Sequence, residues 1–539
     1  MTYPIKKRVL GYILEDKARK NFDKTFFYFE DKKFTYSETN QFANRVANGY
    51  LSLGMRKGDK VIVMLPNCAE FVFNWFGCAK LGVVESPINP ALLGDVLRHV
   101  ILITNAKALL IHEDFIDRIK SLQDELTCVE KVIIYSPSGK KPKSELKFPT
   151  ILFDEFVDQS SEFSAPEEIH YYDPLQIIYT SGTTGPSKGA VLPHHAMYVY
   201  AMDTIESFGF KSDDIHFSAL PLFHINIRYF TIVPALLNDT TFAMVERFSV
   251  KKFWDQVRKY NATNFTLLGA MITFILNQPP SEKDKDNSVR TFQGGPMTTE
   301  QAKELHERFN IEEVSLGFFG MTEANWITSI LNLQERKTLR AQGKWELLVG
   351  MGKENKERYE VKLVDDFDNE VPVGQPGEII CRPTRPFSMM MEYINMPDKT
   401  LEAFRNMWFH TGDIAEKGSD GFFYFVDRKK DYMRRRGENV SSYEVEVSIN
   451  ANSKVAESAA VGIKTPEGED EILIVIRLKE GEFLSPQELY AWCQQRMAKF
   501  MIPKYMKIVD KIPKTPTGRS EKYKIRESID RETLVKIYD

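Results

Sequence analysis

The chain has 539 residues, of which 43% are hydrophobic and 27% are charged, and its formal net charge is −4. The apolar content excludes a disordered protein, the length predicts about two to four domains, and the charge argues against nucleic-acid or membrane-surface binding. Five scattered cysteines without a CxxC pair exclude a disulfide scaffold and a structural zinc site, and predict a reducing cytoplasmic location. With no signal peptide and no apolar run near the roughly 20 residues that cross a bilayer, a soluble protein is expected.

Helix and strand patterns alternate along the first half of the chain. Apolar residues at helical spacing predict a helix over 36–53, with Ser37 as its N-cap, and a second helix over 68–81. Short apolar runs predict strands over 60–65, 83–87, 107–111 and 131–135. This alternation indicates an α/β fold with largely parallel sheets.

The pattern changes after residue 413. A predicted strand over 421–426 precedes a dense polar run at 427–437, and a compact α+β pattern follows. We therefore predict a large N-terminal domain of stacked mixed α/β sheets over 1–427, a hinge at 428–431, and a small mobile α+β C-terminal domain over 432–539.

The most informative segment is the loop IIYTSGTTGPSKGA at 177–190, which follows an apolar strand. Glycines let the backbone approach a ligand closely, and successive N–H groups in such a turn form an anion-binding concavity. Lys188 adds a positive charge. The segment therefore predicts phosphate binding, by the residues Thr180, Ser181, Gly182, Thr183, Thr184, Gly185 and Lys188.

A Walker A loop is the nearest alternative for this segment. That loop has four residues between its glycines and then Gly-Lys-Ser/Thr. Here two residues separate Gly182 from Gly185, and Lys188 lies between Ser187 and Gly189. The spacing therefore disfavours a P-loop kinase or ATPase.

The loop closely resembles the signature loop of the adenylate-forming superfamily, and further motifs follow in the family's order. The segment FFGMTEA at 318–324 is similar to the aromatic-Gly-x-Thr-Glu motif, and QGGPM at 293–297 resembles the adenine-side turn. WFHTGD at 408–413 resembles the segment that binds ribose. The closest resemblance is to acyl-CoA synthetases of the crotonobetaine/carnitine-CoA ligase type.

The resemblance implies a nucleotide site for ATP. Phe319 would stack on adenine, Thr322 would contact the α-phosphate and Asp413 would bind the ribose hydroxyls. Glu323 would hold Mg²⁺, with Thr184 as a second ligand, because a carboxylate beside phosphates requires a cation between them. The remaining residues that the resemblance assigns to the nucleotide are Gly294, Gly295, Pro296, Phe318, Gly320, Phe425 and Arg428.

The resemblance also implies a moving C-terminal domain. Lys430 falls at the family's hinge, and GENV at 437–440 matches a loop that enters the site after rotation. Gly437 would flank the tunnel for the CoA thiol, beside Arg436 and Glu438. For Arg436 a solvated charged face is the alternative interpretation.

The final motif departs from the family pattern. The segment 511–527 places Arg519 where the lysine of the adenylation step is expected. Arginine keeps the positive charge, but it is planar and longer than lysine. Lys522 and Lys524 are close enough along the chain to substitute for it, and a slow or inactive first half-reaction is the remaining alternative.

The acid would bind next to PLFHI at 221–225, where His224 corresponds to a ring-bearing gate or positioning residue; a direct role as acid or base is not implied. Polar side chains in the pocket would favour a short or functionalised acid over a long fatty chain. A quaternary-ammonium acid such as carnitine would favour an aromatic wall. Trp326 is a candidate for that wall, and packing in the core is its alternative. The other expected pocket residues are Asn226, Arg228, Gly269, Gly317 and Asn325.

Together these motifs imply an ATP-dependent acyl-CoA ligase that forms an acyl-adenylate, releases pyrophosphate, and passes the acyl group to CoA. Catalytic roles would fall to Lys188, His224, Thr322, Glu323 and Arg519 or Lys522. The expected partners are a carboxylic acid, ATP, Mg²⁺ and CoA, in a monomer or homodimer. Transfer to another acceptor and a nucleotide-binding pseudoenzyme are the alternatives.

Overall fold

The computed structural model describes most of the chain. It describes all residues except 1, 140–144, 181–186, 331, 429–432, 436–437, 441, 466–468, 514–519, 521, 531–532 and 539. Inside helices and strands, the backbone alone is described at 270, 426–428, 434, 439, 443, 523 and 524.

Two large sheets form the body of the protein. Within the described residues, the eight-stranded sheet has the order Glu392–Tyr393, Lys188–Pro193, Pro174–Thr180, Val84–Pro87, Lys60–Met64, Ala108–His112, Lys131–Tyr135 and Thr150–Leu152. The seven-stranded sheet has the order Glu313–Ser315, Thr291–Gly295, Asn264–Leu268, Ile215–Ser218, Thr241–Met244, Thr25–Phe29 and Lys32–Thr35. Most neighbouring strands are parallel, as the alternating pattern predicts; the antiparallel pairs lie at the edges.

Smaller sheets complete the body and form the C-terminal domain. The body adds Phe318–Phe319, Thr328–Ser329 and Lys353–Glu354, and an antiparallel sheet of Tyr359–Val364, Gly377–Pro383, Phe409–Lys417 and Phe423–Arg428. The C-terminal domain has a ribbon of Met433–Arg435 and Glu438–Val440, and a sheet of Val455–Lys464, Asp470–Leu478, Tyr505–Ile508 and Val535–Lys536.

Helices cover the faces of these sheets. The α-helices of the body are Leu10–Lys20, Tyr36–Ser52, Ala69–Leu81, Gly94–Thr104, Ile116–Lys120, Phe153–Phe156, His194–Phe208, Ile225–Ile227, Val233–Leu237, Phe253–Lys259, Gly269–Leu276, Thr299–Phe309, Leu333–Ala341, Trp345–Leu348 and Pro397–Ala403. Those of the C-terminal domain are Ser442–Asn450, Pro486–Gln494 and Lys522–Glu527. A π-helix, Arg228–Ile232, joins two short helices into one segment. Across the described ranges, no helix is long and apolar enough to cross a membrane.

The predicted α/β architecture, with a large N-terminal and a smaller C-terminal domain, is confirmed. Separate apolar cores support the two domains; the C-terminal core includes Met433, Val445 and Ile474. The exact boundary stays a prediction, since 429–432 lie outside the described residues.

One prediction about a helix start is wrong. The helix Tyr36–Ser52 is capped by Thr35 rather than by Ser37. The Thr35 hydroxyl accepts the Glu38 backbone N–H, and the Glu38 carboxylate accepts the Thr35 N–H, so the two form a capping box. Ser37 lies inside the first turn and is buried.

Candidate active site

A cavity of about 1190 Å³ lies between the body and the C-terminal domain. Most of the described residues that the sequence assigns to the nucleotide, the acid and the C-terminal loop line it. These residues are Thr180, Lys188, His224, Asn226, Gly295, Pro296, Phe318, Phe319, Gly320, Thr322, Glu323, Asn325, Asp413, Phe425 and Glu438. The fold therefore brings together motifs that are more than 250 residues apart in the chain.

The glycine-rich loop connects two antiparallel strands at the cavity. Strand Pro174–Thr180 pairs with Lys188–Pro193 in a register that sets Thr180 opposite Lys188. Both of these residues line the cavity. The predicted phosphate donors Ser181, Gly182, Thr183, Thr184 and Gly185 lie outside the described residues, so their role stays a prediction.

Glu323 forms the acidic side of this region. Its carboxylate is buried, and Oε1 accepts hydrogen bonds from the Tyr393 hydroxyl at 2.8 Å and from Thr180 Oγ1 at 3.3 Å. The Lys188 ammonium lies 4.0 Å from the centre of the Tyr393 ring. Tyr393 was not among the residues that the sequence motifs identify. Its position depends on the pairing of Glu392–Tyr393 with the strand after the loop.

The residues around Glu323 fit a magnesium ion bound together with phosphates. Mg²⁺ is usually held by one or two carboxylates, phosphate oxygens and water. Glu323 Oε2 accepts no hydrogen bond from any residue in the described part of the chain, although Oε1 accepts two. A single carboxylate next to the predicted phosphate site therefore suits this ion. No cluster of three or more metal-ligating side chains occurs among the described residues.

Asp413, the predicted ribose ligand, also lines the cavity. Asp413 is fully buried on strand Phe409–Lys417, and its backbone N–H donates to Thr411 Oγ1 at 3.1 Å. The preceding Gly412 N–H donates to the buried carboxylate of Glu378 at 3.1 Å. This second contact fixes the backbone next to Asp413. The Arg428 side chain lies outside the described residues.

Several glycines that the sequence assigns to the site do not line the cavity. Gly294 does not line it; a Cβ there would lie 2.1 Å from the Leu267 carbonyl oxygen on the neighbouring strand. Gly317 has a left-handed φ of 56°, and neither it nor Gly269 lines the cavity. These positions serve close backbone packing behind the wall.

The part of the cavity that is predicted to bind the acid combines aromatic and polar side chains. Phe230 and Phe318 stack with their ring centres 5.5 Å apart, and His224, Asn226 and Asn325 complete this region. Trp326 stacks behind Phe318 at 4.3 Å, is fully buried and does not line the cavity. For Trp326 the structure therefore favours packing over direct contact with the acid.

Arg228 faces away from the cavity, in contrast to the expectation. Its side chain is fully buried and donates to the carboxylate of Glu85, to Gln176 Oε1 at 3.0 Å and to the Leu222 carbonyl oxygen at 2.6 Å. A buried guanidinium requires such partners because an uncompensated charge is costly inside a protein. The bond to Leu222 fixes the backbone two residues before His224.

Three carboxylates of the C-terminal domain line the cavity: Glu438, Glu444 and Asp470. Glu438 Oε2 lies 3.2 Å from His224 Nε2, and the buried Glu444 accepts a hydrogen bond from Ser187 Oγ. Lys522 does not line the cavity; its ammonium pairs with Glu446 at 2.7 Å and donates to Ser442. Lys430, Arg436, Gly437 and Arg519 lie outside the described residues, as does the side chain of Lys524.

Comparisons with known proteins extend over almost the whole chain. A model of the AMP-binding enzyme family matches residues 14–394, and a model of the AMP-binding enzyme C-terminal domain matches residues 444–519. The crotonobetaine/carnitine-CoA ligase of Salmonella heidelberg (strain SL476) is 32% identical over 505 residues, which cover 92% of this chain and 95% of that protein.

Solved structures share the fold over both domains. A double mutant of o-succinylbenzoate CoA synthetase from Bacillus subtilis, bound to the product analogue OSB-NCoA, has a TM-score of 0.81 and 22% identity, and the match covers 98% of this chain and 99% of that one. ATP-bound MatB from Rhodopseudomonas palustris has a TM-score of 0.68 and 24% identity, with coverage of 97% and 99%.

The buried pair of Arg228 and Glu85 gives a test of stability. Replacing Arg228 with methionine leaves the Glu85 carboxylate buried without its cation, so Arg228→Met should lower the free energy of unfolding by about 3–5 kcal/mol. Urea denaturation measures this change. The double variant Glu85→Gln/Arg228→Met removes both charges and should recover most of the loss. An Arg228→Met variant as stable as the wild type would contradict this role.

Glu444 gives a test of pH dependence. Burial raises the pKa of its carboxyl group to about 7, whereas the exposed group titrates near 4.5. The folded arrangement therefore binds this proton more tightly than the unfolded chain, and stability falls as pH rises from about 4.5 through about 7. Glu444→Gln removes the titration, so wild type should lose urea resistance relative to the variant between pH 5 and pH 8. Parallel pH profiles of the two proteins would rule out this titration.

Proposed function

The chain belongs to the AMP-binding enzyme family, and from this premise we propose that it is an ATP-dependent acyl-CoA ligase for a short or functionalised carboxylic acid. One observation carries the proposal. A single cavity joins Lys188, Glu323 and Asp413 from the body to Glu438 from the C-terminal domain. Such a cavity can hold an acid, a nucleotide and a thiol in turn.

In the first half-reaction, the carboxylate of the acid attacks the α-phosphate of ATP. An acyl-adenylate forms, and the bond to pyrophosphate breaks. Two anions must meet, so donors aimed at the developing charge lower the barrier. Lys188, the loop N–H groups and Arg519 are the proposed donors; Mg²⁺ bound at Glu323 would neutralise phosphate charge.

In the second half-reaction, the CoA thiol attacks the acyl carbon, and AMP leaves. We assign the position of the C-terminal domain in this structure to the second half-reaction. In this position Glu438 lies beside His224, whereas Lys522 is paired with Glu446 outside the cavity. Movement of the C-terminal domain about Lys430 would exchange Arg519 for the loop at Gly437. Such a switch lets one cavity carry out two reactions in sequence.

The acyl end supports a small substrate with a functional group. Stacked Phe230 and Phe318 provide an aromatic wall, and Asn226 and Asn325 provide amides near it. An aromatic face attracts a quaternary ammonium group by about 0.5–2 kcal/mol. Acids related to carnitine or crotonobetaine, the substrates in the name of the Salmonella relative, therefore lead the candidates.

We also propose a cellular location, an oligomeric state and the partners of the enzyme. Each of the five cysteines lies in the described part of the chain and carries a free thiol, which supports a reducing cytoplasm. We propose a monomer or homodimer that uses small molecules alone and does not bind nucleic acid.

A panel of carboxylic acids, assayed for AMP release with ATP, Mg²⁺ and CoA, tests the proposed function. We expect AMP and an acyl-CoA thioester with short functionalised acids, and little product with long fatty acids. Pyrophosphate exchange without thioester formation would instead indicate another acyl acceptor. Nucleotide binding without exchange would indicate a pseudoenzyme.

Gly437→Trp separates the two half-reactions. The large side chain would block the proposed thiol tunnel but would be away from the cavity during adenylation. We expect pyrophosphate exchange within about twofold of wild type and a loss of thioester formation of at least about 100-fold. Equal loss of both half-reactions would show that the domain movement is wrongly assigned.

Two alanine variants distinguish Arg519 from Lys522 as the positively charged donor of the adenylation step. If Arg519 stabilises charge in the adenylation step, Arg519→Ala should slow pyrophosphate exchange about 100-fold or more, as removal of one transition-state donor does. Lys522→Ala should change exchange less than about threefold, because Lys522 pairs with Glu446. The reverse order of effects would transfer the role to Lys522.

A further inference from the structure

We propose that Tyr393 is a positioning residue that holds Glu323 and Lys188 apart and in place for a metal-bound nucleotide. The inference rests on the proposed function of this cavity. It concerns a residue outside the motifs that the sequence analysis identified. Its two contacts act on opposite charges: the hydroxyl group acts on the carboxylate, and the ring acts on the ammonium group.

The hydroxyl contact orients Glu323. Tyr393 Oη donates to Oε1 at 2.8 Å, and Thr180 Oγ1 donates to the same atom at 3.3 Å. With Oε1 held by two donors, Oε2 is the atom left to face a cation. Partners that fix a metal-ligating carboxylate in this way usually tune metal affinity by about 10–100-fold.

The ring contact positions Lys188. The ammonium group lies 4.0 Å from the ring centre, within the range of a cation–π interaction. Lys188 and Glu323 form no salt bridge with each other in the described part of the structure, although both contact Tyr393. The tyrosine therefore separates the two charges, which a direct pair would partly neutralise.

Tyr393 can carry out this task because its own position is fixed. It is buried, its strand pairs with Ala190 in the strand that follows the phosphate loop, and its backbone N–H donates to Thr400 Oγ1 at 3.0 Å. The next residue, Ile394, donates its N–H to the Gly189 carbonyl oxygen at 2.8 Å.

Two variants separate the two contacts. Tyr393→Phe keeps the ring and removes the hydroxyl donor. Tyr393→Leu removes both. Tyr36→Phe is the matched control, since Tyr36 is a fully buried tyrosine whose hydroxyl donates to the Thr240 carbonyl oxygen at 2.7 Å, away from the cavity.

The primary measurement is the thermal stabilisation of each full-length protein by ATP as Mg²⁺ is titrated, followed by the Mg²⁺ dependence of pyrophosphate exchange. Tyr393→Phe should need about tenfold more Mg²⁺ for half-maximal stabilisation and leave ATP binding in EDTA within about twofold of wild type. Tyr393→Leu should also weaken ATP binding in EDTA, because Lys188 loses its support. Tyr36→Phe should match wild type in both.

An unchanged Mg²⁺ requirement in Tyr393→Phe, or an equal change in Tyr36→Phe, would overturn the proposal. Its failure can be told apart from failure of the proposed function. The stabilisation by ATP needs no acid and no CoA, whereas the proposed function fails if wild type releases no AMP with any acid of the panel.

Discussion

The buried carboxylate of Glu323 joins three chain segments that are far apart in sequence. Its Oε1 atom accepts a hydrogen bond from Thr180, 143 residues earlier, and from Tyr393, 70 residues later. A buried carboxylate without hydrogen bonds is costly, so the segments that donate to it must fold together. The part of the cavity around Glu323 is therefore complete only when the edge strand with Tyr393 is in place.

Polar contacts join the C-terminal domain to the body at the cavity. Glu438 lies beside His224, and Glu444 accepts a hydrogen bond from Ser187, so two carboxylates of the C-terminal domain contact side chains of the body. Polar contacts exchange with water at a small net cost, unlike an apolar core. This junction suits a domain that the proposed mechanism requires to dock and leave. The raised pKa of Glu444 makes the docked contact sensitive to pH.

Local sequence patterns predicted several helices and strands of the body. The helix expected over 36–53 is Tyr36–Ser52, and the strand expected over 131–135 is Lys131–Tyr135. Hydrophobic periodicity and turn residues are local features of the sequence, so they predict helices and strands without knowledge of the fold. The N-cap was misplaced because Thr35 and Ser37 are both suitable residues, and the reciprocal bonds with Glu38 decide between them.

The sequence by itself determined the α/β class and the family, and it predicted phosphate binding by the glycine-rich loop, because residues close together in the chain carry these features. Only the tertiary structure decided which way individual side chains face. Arg228 turns to Glu85, Trp326 packs behind Phe318, and Tyr393 reaches Glu323. The physical reason is that a buried charge or a large buried ring requires hydrogen-bonding or packing partners, and these partners are remote in sequence. The spacing of the motifs along the chain does not identify those partners.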